Sequence, residues 1–375
     1  MIKAAVFIYL IWPAIAFCYI PNKYTALSAV AIALYVSPLT LISEKFSEVR
    51  KQYFSTAYLQ ISIILNILIG AVNLGLIADQ TSHSLTDLLK PEQLVAISSS
   101  SISLMYSTDV ESINIGSPIL LSLNLFSTYF CGRQSHQFNV VSKVLFFLPL
   151  MFYSILTTAK FPTYLAISFY FVGTMVKYSS GNLVWGRLGK SIIWLTLFGC
   201  WVLVLAMTNR GHDLYSIGFT RVIGNYLFAQ YHAFGVWILD LGGASECCRF
   251  GESSFIGPLS WMGFFERQAG IYDQNIKVYD LETNIFTAWR FLIEDFSLIG
   301  PFVLNLIIAL FYTVADSKVY WLLRMFLREY LMLSAMLAFT TGVFVYNCVA
   351  LTLFMTVLYN YFLQKRSSYQ LLASV

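Results

Sequence analysis

Apolar runs of roughly span length recur along almost the whole chain, and charge is confined to the gaps between them. A helix needs about 20 apolar residues to cross the hydrocarbon core of a bilayer. The pattern predicts an all-α polytopic membrane protein. Ten candidate spans lie near 4–20, 25–43, 53–78, 116–131, 141–158, 162–177, 191–207, 296–315, 330–346 and 348–363. Composition agrees: 11% of the 375 residues are charged, against about 25% in a soluble domain. The net charge of +4 is small, and no block of five or six Lys and Arg exists, so the chain does not read as a nucleic-acid binder.

Lys and Arg in the short loops set orientation. The loops 43–52, 132–136, 177–190, 317–328 and 364–368 are the basic ones, and alternating spans put all five on one side. With Lys3 and Lys143, that side holds 14 of the 23 Lys and Arg, which predicts both termini in the cytoplasm. The semi-apolar, serine-rich segment 94–107 is expected outside, as an interfacial or re-entrant piece. Three parts follow: about seven spans over 1–207, a large external loop over 208–295, and about three spans with a cytoplasmic tail over 296–375.

That external loop is far longer than an ordinary helix connection. It is too aromatic for disorder, which predicts a folded cap on the helix bundle. None of the ten candidate spans has an acidic residue or Arg near its middle, which argues against a proton-coupled carrier or ion pathway. The absence of a visible internal repeat argues against an inverted-repeat transporter. The ionisable groups gather in the outer loops instead. Arg210, His212 and Asp213 follow the seventh span directly, Arg221 comes soon after, and Lys160 sits in a short turn between two spans. In "WRFLIEDF" (289–296), Arg290 and Glu294 are four apart and share a helical face. Cations at this edge suit an anionic head group, since the Arg fork matches phosphate. Neighbouring carboxylates suit acid–base chemistry. The six cysteines and four histidines show no metal-ligand spacing. Arg290 with Glu294 can equally be a surface pair, Lys160 a head-group anchor, and His232 a structural residue.

Three stretches carry a resemblance to the Wzy-type O-antigen polymerases, the oligosaccharide repeat-unit polymerases. "ETNIFTAWRFLIEDFSLIG" (282–300) resembles the family's signature, in which Thr-Asn and a Thr segment precede a basic residue and an Asp-Phe-Gly-type re-entry. Ser297 stands where glycine is usual. "RVIGNYLFAQYHAFGVWI" (221–238) resembles a tyrosine, small-residue, Ala-Phe stretch. "TTAKFPTYLAI" (157–167) resembles a Thr-Thr-Gly-Arg-Ser entry to a span, with Lys160 in place of Arg. The plan is similar too: many spans, one large late external loop and a basic inner C-terminus.

The resemblance implies a glycosyltransferase of the membrane GT-C type at the outer face of the bacterial inner membrane. Its substrates would be undecaprenyl-diphosphate-linked oligosaccharide repeats. The growing glycan would move onto the non-reducing end of a new lipid-linked repeat, with no nucleotide, ATP or other cofactor. A chain-length regulator, a flippase and a ligase are the implied partners, besides the lipid bilayer itself. Arg290 and Arg210, with Lys160 and Arg221 behind them, would stabilise the diphosphate leaving group. Asp295, Glu294 or His212 would take the acceptor proton. Thr283 and Asn284 would bond sugar hydroxyls, and Tyr226, Tyr231 and Trp237 would offer rings to sugar faces. Three other readings stay open: an O-antigen ligase or other lipid-linked glycosyltransferase, a lipid-linked oligosaccharide flippase or other transporter, and a non-catalytic scaffold or receptor whose loop only binds.

Overall fold

The structure is a computed structural model. It describes residues 1–42, 54–106, 116–157, 159, 161–178, 219–242, 248–265, 276–278, 281–283, 287–314, 321–338 and 341–372. Among these are thirteen α-helices: α1 (Ile2–Tyr19), α2 (Lys23–Val36), α3 (Thr56–Gln80), α4 (Pro91–Tyr106), α5 (Pro118–Arg133), α6 (Val140–Leu156), α7 (Phe161–Tyr178), α8 (Phe219–Leu239), α9 (Ile256–Trp261), α10 (Ala288–Phe296), α11 (Gly300–Val314), α12 (Trp321–Leu337) and α13 (Asn347–Leu372). One short antiparallel hairpin joins them, β1 (Ile276–Val278) with β2 (Leu281–Thr283), and Ile276 faces Thr283.

The helices begin where polar residues interrupt the apolar runs. Asn22 caps α2 by accepting from the Tyr24 and Thr25 amides, both at 3.0 Å. Ser55 caps α3 and Asn139 caps α6 in the same way. Such caps satisfy amides that the first turn leaves open. Among the described residues, three stretches are long and apolar enough to cross a membrane: Ile2–Tyr19, Lys23–Leu41 (α2 with the 3-10 turn that follows it) and Thr56–Gln80. A fourth candidate is the pair α10 and α11, bent by 95° at their junction. The helices near 141–158, 162–177 and 348–363 are apolar but shorter, and the span expected at 191–207 lies outside the described residues.

The chain divides into two compact units. The first comprises Met1–Lys45 and Thr220–Val375, the second Phe46–Phe219. In the second, α3 carries an amide every seven residues along one face. Asn66 donates to the Phe146 carbonyl at 3.1 Å and its side-chain oxygen accepts from Asn124 at 2.9 Å. Asn73 accepts from the Ser117 amide at 2.8 Å, and Gln80 from the Gly116 amide at 2.7 Å. Helices α5 and α7 cross closely through Gly132 and Gly173. A methyl group on either would overlap the backbone carbonyl of Tyr170 or Tyr129 respectively. Glycine permits this because it has no Cβ. The 94–107 segment is the helix α4, whose Ile97 packs with Ile77 and Leu156.

In the first unit, Trp289 of α10 lies between Tyr9 and Tyr35, with ring centroids 5.4 and 5.5 Å away. Asn305 of α11 donates to the Tyr35 carbonyl at 2.8 Å. The C-terminal region departs from the expected spans. The helix runs over 321–337, not 330–346, and 341–346 is non-helical before α13 begins. Arg324 is therefore helical, with its guanidinium 4.9 Å from the centre of the Tyr312 ring. Glu329, which the sequence places between the basic loop 317–328 and the next apolar run, lies inside this helix. It is fully buried in α12 and accepts from Thr356 and Asn360 of α13, both at 2.6 Å. Donors on the facing helix make that burial tolerable, because a buried carboxylate needs hydrogen-bond partners.

Candidate functional site

Within the stretch 282–300, residues 288–296 form the nine-residue helix α10. A helix this short is marginal alone, so its neighbours hold it. Thr287 precedes it in extended conformation, and the Ala288 amide donates to the Ala338 carbonyl at 2.9 Å. At its far end Ser297 takes φ +68°, which stops the helix and turns the chain toward α11.

All three charges of α10 are buried. Arg290 Nε and Glu294 Oε1 close an ion pair of 2.7 Å, with side-chain exposures of 4% and 2%. The Arg290 guanidinium also stands 4.8 Å over the ring of Trp237. The ring face attracts a cation more strongly where water is excluded. The bland reading of Arg290 with Glu294 as a surface pair therefore does not hold. Removing one member of such a buried pair is costly, since the other charge stays behind.

Asp295 faces a different segment. Its two carboxylate oxygens accept from the amides of Ser253 (3.0 Å) and Ser254 (2.6 Å). The Arg249 and Phe250 amides in turn donate to the carbonyls of Glu294 and Asp295 at 3.2 and 3.3 Å. Residues 249–254 thus wrap the C-terminal end of α10 and satisfy carbonyls that the helix leaves open. Four polar atoms beside this helix find no hydrogen-bond partner among the described residues: Trp237 Nε1, Ser254 Oγ, Thr287 Oγ1 and Trp289 Nε1. Leaving such groups buried and unsatisfied costs about 1–3 kcal/mol each.

The structure thus brings Arg290, Glu294, Asp295 and Trp237 together. Tyr231 is buried on α8 like Trp237, so both rings pack against protein in this arrangement. Arg221 and Tyr226 belong to α8. Thr283 lies in β2, half-buried. Lys160, Arg210, His212 and Asn284 lie outside the described residues. His232 has a structural setting, 3.0 Å from the Asn22 amide and edge-on to Tyr24. Among the described residues no three His, Cys, Asp or Glu side chains gather as metal ligands.

Sequence reasoning missed Trp289 and the brace formed by Ser253 and Ser254. Trp289 had a visible signal, since it directly precedes Arg290. The brace had none, because two serines in a polar loop are ordinary. Compared with protein-family models, curated proteins and solved structures, the chain gives no match.

Proposed function

We propose that this protein is an O-antigen polymerase of the Wzy type in the bacterial inner membrane, with α10 at its reaction centre. The observation that carries the reading is the buried arginine on the stretch that resembles the family signature. Arg290 is held between Glu294 and the Trp237 ring, on the shorter arm of a helix pair bent by 95°. The chemistry asks for such a group. Transfer of a glycan from a lipid diphosphate leaves negative charge on the departing phosphates. A preorganised cation shielded from water stabilises that charge far better than a mobile surface cation. Glu294 fixes the Nε edge of the guanidinium and so sets the plane of the fork. Asp295, with both oxygens engaged by backbone amides, suits a brace better than a base. Glu294 and His212 remain candidates for the proton acceptor.

The test is a gel ladder of surface lipopolysaccharide from a strain lacking the gene, complemented with wild type or Arg290→Ala. Loss of the ladder to core plus one repeat, restored by wild type and not by a membrane-resident Arg290→Ala, supports polymerase. Loss of even the single repeat moves the step to flipping or ligation. A normal ladder from Arg290→Ala removes Arg290 from the chemistry.

A further inference from the structure

The segment that braces α10 also exposes an apolar tip. Phe250 is 80% exposed, and the end of α9 and the turn after it expose Trp261 (52%), Met262 (60%) and Phe264 (68%). Gly263, at φ +75°, makes that turn. Large aromatic side chains in such a cluster mark a contact surface.

Two attachments say what covers it. At one end, the Phe250 amide donates to the Asp295 carbonyl, next to the exposed side chain of Phe296. From there Leu298 and Ile299 lead into α11, whose Val303, Ile307, Leu310 and Val314 recur on one exposed face. The opposite face of α11, with Asn305, Ile308 and Tyr312, is buried. An apolar face of that kind on a helix with the character of a membrane span is covered by acyl chains. At the other end, the Gly257 amide donates to the Phe344 carbonyl at 3.1 Å, and Phe255 stacks on Phe344, just before α13. Residues 249–265 therefore join the end of α11's bare face to the start of a second apolar helix. Trp and other aromatics favour that level, the boundary between head groups and acyl chains.

We propose that residues 249–265 are an interfacial anchor, with Trp261, Met262 and Phe264 inserted at the head-group boundary of a phospholipid leaflet. Through Asp295 and its Ser253 and Ser254 amides, the anchor ties α10 to the bilayer surface. The anchor stands on the membrane character of the chain, not on the polymerase reading.

The test uses the full chain in phospholipid vesicles and tryptophan emission. The difference between wild type and Trp261→Phe isolates Trp261 among the eight tryptophans. The expected result is loss of that emission in lipids brominated near the head group, and its retention with iodide in the water. Emission lost to iodide and kept in brominated lipid would mean an aqueous loop and overturn the anchor. Emission kept under both would mean a covering protein surface, another copy included, and overturn it too. Phe264→Trp provides a second emitter: the anchor requires its added emission to be lost in brominated lipid, whether or not Trp261→Phe folds.

Discussion

The guanidinium of Arg290 lies 4.8 Å over the ring of Trp237 while its Nε meets Glu294 at 2.7 Å, so one cation is held on two sides by two helices. Arg290→Ala leaves the buried Glu294 carboxylate without that cation and is expected to cost about 3–5 kcal/mol. Arg290→Met with Glu294→Leu should recover most of that loss, since an apolar pair of similar volume often replaces a buried ion pair without penalty. Thermal unfolding in detergent reads the stability, and the lipopolysaccharide ladder tests the proposed activity. A double variant that is stable and still polymerises would reduce the pair to a packing role.

Trp237→Leu removes the ring face and keeps apolar bulk. It should cost up to about 2 kcal/mol from the cation contact, and much less in a background that already carries Arg290→Met. Unfolding measured across the four-variant cycle gives that coupling directly. Equal costs in both backgrounds would mean that ring and guanidinium do not interact.

Glu329 is the acceptor for a hydroxyl and an amide on α13. Glu329→Ala removes the acceptor of one Asn360 N–H and is expected to lower stability by about 1–3 kcal/mol. Glu329→Gln keeps an acceptor oxygen and should lose less. An unfolding midpoint unchanged by Glu329→Ala would show that the cluster does not hold α12 to α13.

Ser297 combines φ +68° with ψ 174°. That region is essentially reserved for glycine, and other residues there cost about 1–3 kcal/mol. Glycine is also the residue that the resemblance places at this position. Ser297→Gly should therefore raise stability by up to about 1 kcal/mol, part of the relieved strain being offset by the freer unfolded chain. Ser297→Val should lower it. If both variants melt alike, the bend is not strained.

At the crossing of α5 and α7, Gly132→Ala and Gly173→Ala each push a methyl group into backbone that no rotamer change can move aside. Each is expected to cost about 1–3 kcal/mol by overpacking. Melting of the purified protein decides it, and a neutral Gly132→Ala would show that the two helices can part freely.

The long apolar runs made α1, α3, α5, α6 and α7 legible to within a few residues, because length and hydropathy are local properties. The end of α12 was not. Arg328 and Glu329 side by side look like a loop, and nothing in the sequence signals the donors on α13 that Glu329 meets within the helix. The same limit applies at α10. The spacing of Arg290 and Glu294 told of a shared face, yet not whether water or Trp237 would meet it, because burial depends on a helix elsewhere in the chain. Tyr231 and Trp237 were expected at sugars for a related reason: an aromatic residue looks the same in sequence whether it is buried or bare.

The amides of α3 have a consequence for how the protein is made. Asn66, Asn73 and Gln80 find their partners 36 to 80 residues further along the chain. When α3 leaves the ribosome, none of those partners exists. The three amides must then wait for these partners until the segment through Phe146 has been synthesised. The order of translation thus makes α3 a helix that can form early and settles late.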